Sequence, residues 1–182
     1  MKLKFRKIND ADLEKLMHWR MLSEVTKYMY TDPKLTIADQ QQWLESISND
    51  PSKKYWIINV DEKDVGLINL YRIDRVNQRC EWAYYLASPS VRGKGIGKSV
   101  ELNIQKYVFQ DLALNKLCCE VFSWNEIVIK IHQKYGSKIE GIRKAHIFKN
   151  GEYHDIVEMA ILREDWRDNI KGQFDFYNAE IE

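Results

Sequence analysis

The stretch SVRGKGIGKS, residues 90–99, is a basic, glycine-rich turn between two segments with clear hydrophobic patterns. The apolar residues 82–87, WAYYLA, precede it and are typical of a strand. After it, apolar residues recur at every fourth position from Ile96 to Leu112, which is typical of a helix. The start of a helix has unpaired N–H groups and the positive end of the helix dipole, so it binds phosphate well. The pattern therefore predicts a phosphate site at the start of a helix.

The residue types in this turn suit an anion, because its glycines carry no Cβ and let the backbone approach a ligand. A Walker A loop would need glycine where Arg92 stands, and a dinucleotide fingerprint would need glycine where Lys98 stands. A solvated surface turn is the alternative interpretation. The residues that we expect to contact the ligand are Arg92, Gly93, Lys94, Gly95, Ile96, Gly97 and Lys98.

The bulk properties indicate one soluble domain, since 182 residues are enough for a single sizeable core. The formal net charge of +1 gives no basis for binding nucleic acid or an anionic membrane. Neither a membrane-spanning run nor a signal peptide is predicted. The cysteines Cys80, Cys118 and Cys119 have no CxxC spacing, so we expect reduced thiols, no metal site and a cytoplasmic location.

The hydrophobic patterns outside the turn predict a mixed α/β order, β-αα-βββ-α-β-α-ββ. Thr36 and Asp39 are predicted to cap the second helix. Asn150-Gly151, between two strand patterns, predicts a hairpin. The polar residues 163–182 predict a helix followed by a loose end. The predicted strands span residues 3–8, 55–60, 65–73, 78–87, 116–122, 138–149 and 153–162.

The turn R-G-K-G-I-G, residues 92–97, is similar to the R/Q-x-x-G-x-G/A loop of the GNAT N-acetyltransferases, which grips the pyrophosphate of acetyl-coenzyme A. The predicted order of elements also resembles that family. The resemblance implies a single GNAT-type domain over residues 3–165 and a C-terminal tail over residues 166–182. It implies a mostly antiparallel, splayed seven-stranded sheet with helices on both faces. It further implies that the backbone of Leu86 and Ala87 contacts the pantetheine arm of acetyl-CoA.

A second segment, N-E-I-V-I-K-I-H-Q-K-Y-G at residues 125–136, resembles the family's N-x-x-A-i-x-l-Y-e-K-l-G block. The resemblance implies that Asn125 contacts the cofactor arm, although a helix N-cap is an equal alternative. The family's tyrosine, the general acid for the departing thiolate, falls on His132, which can also donate an N–H or can simply be a packed residue. Tyr135 is the substitute acid, with core packing as its alternative.

Acetyl transfer needs a group that takes a proton from the amine, because an alkylammonium has a pKa of about 10. Glu81 begins the strand before the turn, where many GNAT proteins place a glutamate, so it is the candidate base. A salt bridge with Arg79 or Arg75 is the alternative. The N–H of Leu86 or Ala87 is the candidate donor to the developing oxyanion. We expect direct transfer without a covalent enzyme intermediate.

The segment M-H-W-R, residues 17–20, and the hairpin E-G-I-R-K-A-H-I-F-K-N-G-E-Y-H-D-I-V resemble one GNAT branch. That branch acetylates a UDP-linked 4-amino-4,6-dideoxy sugar in pseudaminic acid synthesis. The resemblance implies that Arg20, Gln40, Tyr71 and Arg72 contact the acceptor, Gln40 replacing a histidine of the branch. Arginine suits a diphosphate because it binds phosphate in a bidentate fork. For Arg20, a surface cation at a helix end is the alternative.

Other functions fit the same sequence. A polyamine acetyltransferase has a similar hairpin, but it should line its pocket with carboxylates, whereas arginines are predicted here. Acetylation of a protein N-terminus and a non-enzymatic module that binds coenzyme A as a sensor are further alternatives. A homodimer is one assembly that the sequence leaves open.

Overall fold

The computed structural model describes residues 2–88, 91, 93–169 and 178–182, and places eight strands in one open sheet. Their order across the sheet is β6-β7-β5-β4-β3-β2-β1-β8. The strands are β1 Leu3–Lys7, β2 Lys54–Val60, β3 Lys63–Asp74, β4 Arg79–Leu86, β5 Lys116–Phe122, β6 Lys138–Lys149, β7 Glu152–Leu162 and β8 Glu180–Ile181. The helices are α1 Leu13–Met21, α2 Ser23–Thr26, α3 Ile37–Ser48, α4 Ile96–Lys106, α5 Glu126–Lys134 and α6 Arg163–Asn169. The predicted mixed α/β class is confirmed.

The eighth strand corrects two expectations, the count of seven strands and the loose C-terminal end. Strand β8 pairs in parallel with β1, and the N–H of Glu182 donates to the carbonyl of Phe5 at 3.0 Å. The indole N–H of Trp56 donates to the carbonyl of Glu182 at 2.7 Å. A strand of two residues is too short to show a hydrophobic pattern, so no sequence signal predicted β8.

The sheet is mostly antiparallel, and the parallel pair β4–β5 is short, like the parallel pair β1–β8. Strands β4 and β5 pair only from Arg79–Lys116 to Glu81–Cys118. Strand β4 continues to Leu86, while β5 stays paired with β7 as far as Phe122. A gap therefore opens between β4 and β5 beyond Glu81, which confirms the predicted splay.

Helices cover both faces of the sheet. Val100, Ile104 and Val108 are fully buried along α4 and its π-helical extension, in one core cluster with sheet residues such as Ile68. On the opposite face, Trp43 of α3 packs edge-on against Tyr55 of β2, with ring centroids 5.3 Å apart. The alternation of side chains along β4 places Cys80, Trp82 and Tyr84 towards α4, and Glu81, Ala83 and Tyr85 on the opposite face.

Local sequence signals account for several element ends. Thr36 and Asp39 form a reciprocal capping box at the start of α3. Asn150 and Gly151 both have positive φ, 54° and 85°, as a two-residue hairpin turn requires. The helix predicted to continue to Leu112 instead changes to a π-helical turn after Lys106.

Candidate active site

The phosphate turn leads directly into α4, as the sequence predicts. Gly93 and Gly95 have φ of 75° and 74°, in the left-handed region that glycine adopts at little cost, and Gly95 is the N-cap of α4. A Cβ on Gly97 would lie 3.1 Å from the hydroxyl of Tyr84, so the helix start packs closely on β4. Ile96 is buried and Lys94 is exposed. This arrangement fits a diphosphate; Arg92 lies outside the described residues.

The backbone N–H groups of Leu86 and Ala87 differ in whether they are free to bind a ligand. The N–H of Ala87 donates to the carbonyl of Val65 at 2.8 Å, so it is not available as the donor that the sequence suggested. Because backbone groups alternate along a strand, the N–H of Leu86 points the other way, towards the gap beside β5. Leu86 is therefore the residue of the two whose N–H can pair with a ligand in the gap.

Asn125 occupies the N-cap position of α5, but its side chain makes no capping hydrogen bond. Its carbonyl accepts from the N–H groups of Val128 and Ile129 at 3.1 and 3.2 Å. The half-buried side-chain amide is thus not used in capping. This leaves it able to contact the cofactor arm.

His132 is buried between the two helices that flank the gap. It is 4% exposed, and its Nδ1 lies 3.0 Å from Oε1 of Glu101 on α4. Trp82 of β4 packs edge-on against the imidazole, with ring centroids 5.4 Å apart. The sequence did not identify Glu101, although its place three residues before Ile104 puts it beside the apolar stripe of α4.

Tyr135, the alternative acid, follows α5 and is also buried. Its carbonyl accepts from the side-chain amide of Gln105 at 3.1 Å, and Nζ of Lys98 lies 6.0 Å from the centre of its ring. Burial, and then the nearby Glu101, raise the pKa of the Tyr135 hydroxyl. Tyr135 therefore packs beneath the phosphate turn and keeps its proton at neutral pH.

Glu81 stands where the gap opens, on the face opposite α4. Its Oε1 accepts from Nη1 of Arg72 at 2.9 Å, and its Oε2 is buried without a hydrogen-bond partner among the described residues. Tyr71 lies directly opposite Glu81 in the β3–β4 ladder. Burial, and then the charge of Glu81, raise the pKa of the Tyr71 hydroxyl. The structure thus brings Glu81, Tyr71 and Arg72 together, with one carboxylate oxygen able to accept a proton.

The salt bridge predicted as an alternative role for Glu81 exists, but with a different arginine. Arg75 instead donates to the carbonyl of Leu112 at 2.7 Å, and Nε of Arg79 lies 3.9 Å from Asp74. Arg72 reaches Glu81 because its positive φ, 49°, falls at a bulge in β3. A cavity of about 590 Å³ adjoins this point, and its lining includes the arginines Arg72, Arg75 and Arg79 and the carboxylates Asp74 and Glu81.

A second carboxylate that the sequence did not identify, Glu120, lies on the same face of the sheet. Its Oε2 accepts from the hydroxyl of Tyr30 at 2.7 Å, and its Oε1 lies 2.9 Å from Nη2 of Arg143 on β6. Glu120 also contributes to the raised pKa of Tyr71, so the charges of Glu81 and Glu120 act on the same hydroxyl. Cross-strand alternation could have predicted this placement, because Glu120 is two residues beyond Cys118, the partner of Glu81.

Two predicted acceptor contacts lie on helices rather than on the sheet, Arg20 on α1 and Gln40 on α3. Arg20 is half-buried at the end of α1, and its guanidinium donates to the carbonyl and hydroxyl oxygens of Thr31 at 3.2 and 2.8 Å. Burial lowers its pKa, an effect that the nearby Tyr85 and Asp32 partly oppose. It is therefore not a simple surface cation. Gln40 is buried in the first turn of α3, and Trp43 on the same helix packs against β2.

The cysteines do not have the environment of nucleophiles. Burial raises the pKa of the Cys80 thiol to about 12 and that of Cys118 to about 11. The described part of the chain holds no group of three His, Cys, Asp or Glu side chains that could bind a metal ion. Among the same residues, no helix is long and apolar enough to cross a membrane.

Residues 2–138 match the family described as "Acetyltransferase (GNAT) domain". The chain is 30% identical to Acetyltransferase PseH of Campylobacter jejuni strain 81-176, over 74% of this chain and 82% of that protein. It is 26% identical to the Spermidine N(1)-acetyltransferase of Escherichia coli K12, over 90% of this chain and 88% of that protein. The crystal structure of Vibrio cholerae spermidine N-acetyltransferase with CoA and spermine is similar at a TM-score of 0.85 and 20% identity, covering 91% of this chain and 98% of that one.

Proposed function

Because the chain belongs to the GNAT acetyltransferase family and is an N-acetyltransferase that uses acetyl-CoA, we propose that its acceptor is the 4-amino group of a UDP-linked 4-amino-4,6-dideoxy sugar. Residues 3–165 would form the catalytic domain and residues 166–182 its tail. The resemblance to the pseudaminic acid branch supports this acceptor, as does the similarity to PseH.

The observation that carries the proposal is the charge balance of the face around Glu81. Glu81 and Glu120 on that face already form ion pairs with arginines of the chain, Glu81 with Arg72 and Glu120 with Arg143. Arg20, by contrast, donates its hydrogen bonds to neutral oxygens of Thr31. The charge of Asp32 also acts on Arg20, but that carboxylate is paired with Lys149. A half-buried guanidinium whose hydrogen-bond partners are neutral gains from a phosphate oxygen, whereas a polycation would have to displace the arginines from their carboxylates.

In this proposal the acceptor amine lies at Oε2 of Glu81, which takes its proton. Tyr71 and Arg72 border that position, while Arg20 and Gln40 hold the nucleotide part. Arg72 holds the carboxylate of Glu81 in place by donating a hydrogen bond to Oε1, which leaves Oε2 towards the amine.

Acetyl-CoA supplies the thioester when it is bound. The residues that would hold it are Leu86 and Ala87, the turn from Arg92 to Lys98, and Asn125. The start of α4 would neutralise the diphosphate, and the gap beside β4 would take the pantetheine arm. His132 would give a proton to the departing sulfur, with Tyr135 as the substitute donor.

A polyamine acceptor is the second candidate, favoured by the two carboxylates Glu81 and Glu120 on one face. The similarity to the E. coli spermidine enzyme spans more of the chain than the similarity to PseH. In this case the two ammonium groups would replace Arg72 and Arg143 at the carboxylates.

Thiol release from acetyl-CoA distinguishes the acceptors when the UDP-amino sugar, spermidine and an N-terminal peptide are compared at equal concentration. We expect the UDP-amino sugar to give the highest kcat/KM. Arg20→Gln should lower that value about 10- to 100-fold, because hydrogen bonds to charged groups contribute about 1.5–3 kcal/mol. Arg167→Gln, an exposed arginine on α6, is the matched control. A higher kcat/KM for spermidine than for the UDP-amino sugar would show that the acceptor is a polyamine and not the sugar. If none of the three acceptors causes thiol release, the result would favour a module that binds coenzyme A as a sensor.

A further inference from the structure

The short segment that begins at the end of α2, residues 26–32, connects α1 with the sheet and is here named the strap. The carbonyl and hydroxyl oxygens of Thr31 in the strap accept hydrogen bonds from the guanidinium of Arg20 on α1. The hydroxyl of Tyr30, one residue earlier, donates to Glu120 of β5 at 2.7 Å. The place of the strap over the sheet therefore determines where the guanidinium of Arg20 is held.

Lys149, the last residue of β6, contacts both ends of the strap. Its Nζ donates to the carbonyls of Thr26 and Met29 at 2.6 and 2.8 Å, and it lies 2.9 Å from Oδ1 of Asp32. A lysine side chain has three donor hydrogens, and all three acceptors here belong to the strap. The side chain is only 8% exposed, and lysine is rarely buried in this way unless it is paired.

The strap depends on such a contact because its own backbone hydrogen bonds are local. The N–H of Tyr28 donates to Val25, and the N–H of Met29 donates to Thr26. Helix α2, which leads into the strap, has four residues, too few to be stable without tertiary contacts. Segments with few long-range hydrogen bonds are the parts of a fold that open most readily. Without Lys149, the strap would lose the contact that joins its two ends to the hairpin.

We propose that Lys149 is a positioning residue for the acceptor, because it fixes the strap and thereby the guanidinium of Arg20. This inference rests on the proposed function, in which Arg20 holds the nucleotide part of the acceptor. Lys149 acts through Arg20, so its loss weakens binding of the acceptor. Neither the phosphate turn nor Glu81 depends on the strap in this proposal, so binding of acetyl-CoA and proton removal from the amine are unchanged.

The variant Lys149→Met keeps the length of the side chain and removes its donors. We expect the KM for the acceptor to rise about 2- to 30-fold, the usual range for a residue that acts through a network of contacts, with kcat and the KM for acetyl-CoA within about twofold of wild type. Lys149→Arg keeps donors at this place and should recover part of the loss. Lys144→Met is the matched control, since Lys144 lies on the same strand, pairs with Asp155 and is 76% exposed. An unchanged KM for the acceptor in folded Lys149→Met would overturn the proposal.

A double-mutant cycle with Arg20→Gln separates positioning from a general effect on the fold. If Lys149 acts through Arg20, adding Lys149→Met to Arg20→Gln should lower kcat/KM for the acceptor little further. A loss by the same factor in both backgrounds would overturn the proposal, because a disturbed fold would act in both. If Lys149→Met does not fold, the same cycle with Lys149→Gln, which keeps two donor hydrogens, decides by the same criterion.

Amide hydrogen exchange tests the contact between Lys149 and the strap without an acceptor. The amides of Tyr28 and Met29 should exchange faster in Lys149→Met than in Lys144→Met, because the strap opens more often. Equal exchange rates in the two variants would overturn the proposal. If spermidine gives a higher kcat/KM than the UDP-amino sugar in the wild type, the proposed function fails, while these exchange rates still report on whether Lys149 fixes the strap.

Discussion

The substitution Glu81→Gln removes the candidate base and leaves the shape of the side chain. The stability change should be small, because Arg72, the partner of Glu81, is 70% exposed, and an exposed ion pair contributes at most about 1 kcal/mol. The loss of activity should be much larger. Without a base, the enzyme depends on amine that is already neutral, which for a pKa of about 10 is on the order of 10⁻³ of the total near neutral pH.

We therefore expect kcat of Glu81→Gln to be about 10²- to 10⁴-fold below wild type near neutral pH. The deficit should narrow as the pH rises, because the neutral amine becomes more abundant. Thiol release measured from neutral to alkaline pH gives both quantities, and thermal unfolding checks the fold. Glu140→Gln is the control, since Glu140 is 47% exposed and pairs with Lys116 away from the gap. A kcat within twofold of wild type near neutral pH would refute the role of Glu81.

Two further predictions concern the fold and the turn. Burial acts to raise the pKa of Asp12, but hydrogen bonds from Arg6 and Lys15 outweigh it and hold the pKa at about 2. Asp12→Asn should therefore lower the free energy of unfolding by about 2 kcal/mol at pH 7, and the difference should shrink as the pH falls from about 4 towards 2. Urea titrations across this range measure it, with exposed Asp10→Asn as the control, and a difference that persists at low pH would contradict it. Gly95→Ala should lower stability by about 1–2 kcal/mol, since no atom lies within 4 Å of the added Cβ and only the positive φ is penalised. Gly151→Ala should lower stability by a similar amount, so it is the control. Only Gly95→Ala should weaken CoA binding, and equal CoA affinities of the two variants would contradict the role of the turn in binding the diphosphate.

Local signals in the sequence predicted much of the fold. The Asn150-Gly151 turn and the Thr36 cap each depend on a few adjacent residues, so they could be recognised without tertiary information. The phosphate turn was predictable for the same reason. Strand β8 was not, because two residues carry no pattern and their pairing depends on the exposed edge of β1.

The candidate site was less predictable, because its contacts join distant parts of the chain. Arg72 rather than Arg75 or Arg79 pairs with Glu81 owing to a bulge that no sequence pattern showed. The N–H of Ala87 is used by Val65 because of the register between β3 and β4. Glu101 and Glu120 are single polar residues within apolar patterns, and their partners come from other elements. A polar residue beside the apolar stripe of α4 was nonetheless a usable signal.

Calorimetric titration of the protein with CoA and with pantetheine tests most directly whether the turn around Gly95 binds the diphosphate. Pantetheine shares the arm that would lie in the gap but lacks the diphosphate that the start of α4 would hold. We expect CoA to bind at least about 100-fold more tightly, as charged hydrogen bonds of about 1.5–3 kcal/mol each imply. Equal affinity for the two compounds, or no heat with CoA at millimolar concentration, would contradict the assignment.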